Sequence, residues 1–204
     1  MDKFLYIILL GSILSGCTTT TQSSDTSEES FEPEINVTLS DKKLLANGDA
    51  VPSEIIFKSD SSQVSTDAFK GKYLVINFWA TWCSPCLEQT PIFNSIAKNF
   101  EPDIIEFITI SIDTEYPFWK NFILENEWNG NNYWIGMQET SPFFNLVHSD
   151  IEVEEENMIL IAIPKYIIIS PDGTKLKELE IKPSSPDFEI QIQEALGKTL
   201  PNKR

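Results

Sequence analysis

Apolar positions along the chain fall into short runs divided by polar turns, and the period of each run predicts an element. Residues 73–79 (Tyr-Leu-Val-Ile-Asn-Phe-Trp) are apolar almost throughout and rich in β-branched side chains, the pattern of a central strand covered on both faces. Residues 104–112 repeat that pattern and predict a second buried strand. Between them, residues 84–99 place Ile92, Phe93, Ile96, Ala97 and, just beyond, Phe100 at helical spacing. A second helix is expected over 118–127, with Phe118, Trp119, Phe122 and Ile123 turned inward.

Shorter elements fill the remainder. Residues 53–58 read as a strand followed by a polar turn at 59–62, and Thr66–Phe69 as one helical turn ended at Gly71. Asn129-Gly130-Asn131-Asn132 breaks the chain before an aromatic strand at 133–135, and residues 142–147 suit a short helix. Residues 166–170, the turn Pro171-Asp172-Gly173 and residues 175–181 make a β-hairpin. A last helix is expected over 186–196, before Gly197. The acidic stretch 151–157 matches no template. Strands alternating with helices and closing on a hairpin predict an α/β fold with a mostly parallel sheet and an antiparallel edge.

The first 35 residues follow other rules. Phe4 to Leu14 is a continuous apolar run after Lys3, too short for the roughly 20 residues that span a bilayer but suited to the core of a signal peptide. It leads into Leu14-Ser15-Gly16-Cys17, which resembles the lipobox of bacterial lipoproteins. That resemblance implies cleavage before Cys17 and lipidation of its thiol, with several acyl chains giving a stable anchor. Asp2 beside Lys3 leaves the leader only weakly positive. Residues 17–35 are polar and nearly free of apolar side chains, a composition that forms a flexible tether. The expected division is therefore a signal peptide at 1–16, a tether at 17–35 and one domain at 36–204, with its core about 53–196. Asn36-Val37-Thr38 has the form of a glycosylation sequon, read here as chance.

Composition narrows the function. The 204 residues carry a formal net charge of −16, and phosphate binding needs a basic surface, so nucleic acid is not an expected partner. Three cysteines form no framework of structural disulfides. Cys17 stands alone, whereas Cys83 and Cys86 enclose Ser84-Pro85 where the buried strand gives way to the helix. A helix start offers free N–H groups and partial positive charge, which favour a thiolate at Cys83, the nucleophilic form. Pro85 fits the first turn, where a backbone N–H has no partner to lose. Two intervening residues bring both sulfurs onto one turn, so a disulfide can open and close with little backbone motion. Cys83 is expected to be the exposed attacking sulfur and Cys86 the shielded resolving one. The rival reading, half of a zinc site, lacks a second pair of ligands.

Val75-Ile76-Asn77-Phe78-Trp79-Ala80-Thr81-Trp82-Cys83-Ser84-Pro85-Cys86, with Pro91 along the helix, resembles the thioredoxin superfamily and in particular its TlpA/ResA-like branch. Ile163-Pro164 ahead of Tyr166-Ile167-Ile168-Ile169 and Asp172-Gly173 carries the second half of the resemblance, which spans about residues 53–196. It implies a thioredoxin-like fold, a central mixed sheet flanked by helices, with Pro164 in the cis form opposite the cysteines and offering its backbone neighbours to a substrate strand. It implies a mouth shaped by Trp82, with Trp79 in the core, and no cofactor. It further implies a membrane-anchored thiol–disulfide oxidoreductase of the bacterial cell envelope that reduces disulfide-bearing proteins, apocytochrome c among them, and is recharged by a membrane thiol reductase. The pair lacks the histidine found between the cysteines of strong oxidants, so a potential nearer the roughly −270 mV of thioredoxin than the roughly −120 mV of DsbA is expected.

Departures from the family pattern touch the proton acceptor for Cys86. Thioredoxins have a buried aspartate where this chain has Asn77, and many of the TlpA-like branch have a glutamate where it has Gln89, with Glu88 one residue earlier and expected to be exposed. The acidic stretch at 152–156 also departs. Two other classes compete. Peroxiredoxins share the fold but usually carry Thr-x-x-Cys with a nearby arginine, a layout that neither Thr81 nor the cysteine pair matches. Sco-type copper carriers favour a longer cysteine spacing and a histidine ligand; His148, the single histidine, is read instead as a satisfied surface or half-buried residue on a helix.

Overall fold

The computed structural model describes residues 44–128, 130–136, 141–153 and 156–197, with side chains described throughout except at 149–153 and 156–160. The leader, Cys17, the tether and the sequon lie outside the described residues.

In chain order come β1 (Ile55–Phe57), β2 (Gln63–Ser65), a 3-10 turn (Thr66–Phe69), β3 (Tyr73–Trp79), α1 (Ser84–Ala97), β4 (Ile105–Ser111), α2 (Tyr116–Glu125) and β5 (Asn132–Trp134). They are followed by α3 (Phe144–Val147), β6 (His148–Val153), β7 (Glu156–Ile161), β8 (Lys165–Ile169), β9 (Lys175–Leu179) and α4 (Asp187–Ala195). Seven of the strands form one mixed sheet in the order β2-β1-β5-β4-β3-β8-β9. The central β3 runs parallel to β4 and antiparallel to β8, and everything from Leu74 to Trp79 is buried, as a strand covered on both faces requires.

Side chains alternate across this sheet. Val75 packs with Phe93, Phe107, Tyr166 and Phe188, joining α1 and α4 to one face. Ile76 and Phe78 pack with Trp119 of α2 and Leu146 of α3 on the other. The cysteine pair sits at the carboxyl end of β3, where α1 begins.

Several expectations are corrected. The sheet is not mostly parallel: among the described residues only β3–β4 and β4–β5 pair in parallel. A parallel pair needs a long crossover, whereas β1 reaches β2 through the turn Lys58–Ser62 and β8 reaches β9 through Gly173, connections that can only reverse the chain. The first of these turns creates β2, which periodicity missed because its three residues are too few to show a pattern. Helix α2 starts two residues early, at Tyr116 and Pro117, so Tyr116 packs on Trp119 and Trp134 while Phe118 is 71% exposed. Ile92 also faces solvent. His148 is not helical. It opens β6 and is buried, with Nδ1 facing the Phe144 carbonyl oxygen. Of the acidic stretch that matched no template, residues 151–153 and 156–157 belong to the separate antiparallel pair β6–β7, whose register runs from His148 opposite Ile161 to Val153 opposite Glu156.

Candidate active site

The site is built where two chain segments meet. On one side, β3 ends at Trp79 and the turn Ala80–Cys83 closes with the Cys83 N–H donating to the Ala80 carbonyl at 3.1 Å. Cys83 is then the N-cap of α1: its backbone is extended, and its Sγ accepts the Cys86 N–H at 3.2 Å. Pro85 occupies the first turn of the helix. The two cysteines are joined, with Sγ–Sγ 2.05 Å and Cα–Cα 5.2 Å.

On the other side lies the loop between β7 and β8, where the Ile163–Pro164 peptide bond is cis. The Ile163 carbonyl oxygen stands 3.9 Å from Cys83 Sγ. Lys165, immediately after the proline, is 7% exposed and ties this loop inward through the Val147 carbonyl at 3.5 Å and Glu178 at 3.3 Å.

Cys86 is shielded as expected, but the exposure of Cys83 differs from expectation. Cys83 is 1% exposed and Cys86 0%, so neither is open to solvent in the disulfide form. The reason is the company they keep: both belong to the apolar cluster with Trp79, Ala80 and Ile112, and Ile163 packs against it. Trp82, by contrast, is 45% exposed beside the pair, while Trp79 is wholly buried and stacked on Trp128.

Beneath the pair lie neutral groups. Asn77 is buried, and its Nδ2 donates to Thr90 Oγ1 at 3.0 Å, which in turn donates to the Cys86 carbonyl at 2.8 Å. Gln89 is also buried, and its Oε1 accepts the Ser184 N–H at 3.0 Å, linking α1 to the segment before α4. An amide exchanges no proton at neutral pH, so neither serves Cys86 as a base. Glu88 is exposed on the outer face of α1.

Two polar residues of this neighbourhood went unnoticed in the sequence. Thr90 sits one turn past Cys86 and looked like an ordinary helix position. Asp113 is 4% exposed and bonds to Thr81, two residues before Cys83. Its signal was available: it lies just past the carboxyl end of a buried strand, where open α/β sheets gather their functional groups.

The arrangement can hold a disulfide, release it as a dithiol, and offer a backbone carbonyl beside the first sulfur. A family model described as Redoxin matches residues 46–196. The chain belongs to the redoxin family. This redoxin is 26% identical over 154 residues to a thiol-disulfide oxidoreductase ResA of Bacillus thuringiensis subsp. konkukian, a match covering 76% of this chain and 79% of that relative. A ResA of Oceanobacillus iheyensis is 32% identical over 77 residues, covering 36% of the redoxin and 40% of the relative. Among solved structures, the thioredoxin domain of a thiol-disulfide oxidoreductase from Bacteroides vulgatus superposes with a TM-score of 0.56 at 22% identity, covering 74% of the redoxin and 97% of that domain. A thiol:disulfide interchange protein from Bacteroides sp. gives a TM-score of 0.57 at 20% identity, covering 78% and 96%. These structural likenesses carry the fold, which is thioredoxin-like.

Proposed function

We propose that this redoxin is a thiol–disulfide oxidoreductase that reduces disulfides of cell-envelope proteins, held to the membrane through a lipid on Cys17. The observation that carries the chemistry is the Cys83–Cys86 disulfide at the start of α1, with the Cys86 N–H aimed at Cys83 Sγ. In the dithiol form that N–H and the helix start favour a thiolate at Cys83. The thiolate attacks one sulfur of a substrate disulfide, and the other substrate sulfur leaves and takes a proton from water. Cys86 then attacks Cys83 Sγ, its proton passing to the second departing substrate sulfur, since Asn77 and Gln89 accept none. Two electrons and two protons reach the substrate, and the redoxin is left as the disulfide. A thiol donor must reduce it again, and the partner proposed for that step is a membrane thiol reductase.

Trp82 at the rim and the backbone around Ile163 and Pro164 offer an extended substrate segment an aromatic contact and a hydrogen-bond edge. In the disulfide form Cys83 is buried against the Ile163 carbonyl, and a substrate segment pairing with this loop would take the place of that contact. The names of the ResA relatives support the reaction class, and the leader at 1–16 followed by Cys17 supports the envelope location.

The test uses the purified full-length chain with dithiothreitol as electron source and insulin as substrate, together with a redox titration against glutathione. Insulin reduction and a potential near the roughly −270 mV of thioredoxin are expected. A potential above about −150 mV overturns the reductant reading, and lack of any disulfide turnover overturns the enzyme reading.

A further inference from the structure

We infer that Asp113 is a positioning residue for disulfide exchange: its buried carboxylate holds the Thr81 turn and, through it, Cys83. The inference rests on the oxidoreductase reading above.

The placement follows from strand register. β3 and β4 pair in parallel with Trp79 opposite Ser111, so residues two steps further along each strand come side by side. Those residues are Thr81 and Asp113. The ladder continues one bond beyond the strands, from the Ile112 N–H to the Trp79 carbonyl at 2.9 Å, and then backbone pairing stops. The carboxylate takes over at that point. It receives the Thr81 N–H at 3.1 Å on each oxygen, the Thr81 hydroxyl at 2.7 Å on Oδ1 and the Ser111 hydroxyl at 2.6 Å on Oδ2. Hydrogen bonds to a carboxylate are stronger than those between neutral groups, and Asp113 itself is 4% exposed.

Asp113 is itself fixed. Its N–H donates to Ser111 Oγ at 3.0 Å, and its carbonyl accepts Trp134 Nε1 at 2.7 Å. The indole reaches that carbonyl alongside Gly136, where a Cβ would stand 2.6 Å from the ring. One continuous set of contacts therefore runs from β5 through Asp113 to Thr81, and the turn that follows ends on the Cys83 N–H at 3.1 Å from the Ala80 carbonyl. Cys83 Sγ faces both the Cys86 N–H and the Ile163 carbonyl, so a shift of this turn alters the attacking sulfur's electrostatic partner and its line of approach together. Misplacement of a reacting group by about 1 Å can cost on the order of a hundredfold in rate.

The test compares D113A, T81V, T81S and the D113A/T81V double variant in the full-length chain, each checked for folding by its thermal transition. Readouts are insulin-reduction kcat/KM and the pH profile of Cys83 alkylation by iodoacetamide. T81V is the decisive variant, because it removes one hydroxyl donor and no charge. D113A should lower kcat/KM about tenfold or more, T81V should fall between D113A and wild type, T81S should match wild type, and the double variant should be no worse than D113A. T81V should also move the alkylation midpoint to higher pH, as weaker seating against the Cys86 N–H favours the thiol. A folded T81V with wild-type kcat/KM and an unmoved alkylation profile overturns the inference. So does a double variant whose loss is the product of the single losses. Failure of the wild-type chain to reduce insulin would instead strike the oxidoreductase reading.

Discussion

Cys83 Sγ lies 3.9 Å from the carbonyl oxygen of Ile163, although the two residues are 80 positions apart in the chain. In the proposed mechanism this contact sets the attacking sulfur beside the backbone edge at which a substrate segment would pair. It also closes the site in the oxidised form, where Cys83 is almost without exposure.

The order of the two sulfurs is testable. In C86S the first exchange step proceeds but resolution does not, so the variant should accumulate as a mixed disulfide with its substrate. C83S should form none. Non-reducing gel shifts in cells expressing each variant, followed by mass spectrometry of the trapped protein, check this. Trapping through Cys86 with Cys83 dispensable would reverse the assigned roles.

Thr90 joins Asn77 to the Cys86 carbonyl within the buried layer. T90V keeps the shape but leaves the Asn77 Nδ2 without this acceptor, and Asn77 Oδ1 already has no hydrogen-bond partner among the described residues. A stability loss of about 1–3 kcal/mol is expected, read from urea unfolding. An unchanged midpoint would mean that water or a rotated amide replaces the bond.

Burial drives the Tyr166 hydroxyl well above its ordinary pKa of 10.0, and this oxygen has no hydrogen-bond partner among the described residues. The folded state therefore keeps a proton that the unfolded state loses above about pH 10. Stability from this group is fully present below pH 10 and falls as pH rises through the alkaline range. Y166F should remove that part of the alkaline loss and be neutral or stabilising at pH 7, because no hydrogen bond is given up. Unfolding midpoints of both proteins at pH 7 and pH 11 decide it. A marked loss at pH 7 would reveal a bonded hydroxyl.

Lipidation of Cys17 predicts that C17S moves the protein from the membrane fraction to the soluble fraction while leaving insulin reduction intact. Intact mass of the purified wild-type chain should show a processed N-terminus carrying acyl groups. A soluble, unmodified wild-type chain would remove the membrane from the proposed function.

Much of this redoxin was legible as sequence. The apolar run at 73–79 could be buried only on both faces, and the Cys-x-x-Cys pair after it stood where a helix must begin, because strand period, Pro85 and the following helical spacing are local properties. The cis proline was legible only by likeness, since nothing near Ile163 in the chain speaks of Cys83. Reading α2 failed by two residues because Tyr116 and Pro117 could equally belong to a loop until Trp119 and Trp134 gave Tyr116 something to pack on.

Local chemistry in the sequence thus determined the buried strand, the helix start and the redox pair, since each depends on neighbours within a few residues. Tertiary structure alone decided the strand directions, the burial of Cys83 and the pairing of Thr81 with Asp113. Those depend on sheet register and on loops meeting across the fold, which put residues 32 and 80 positions apart into contact.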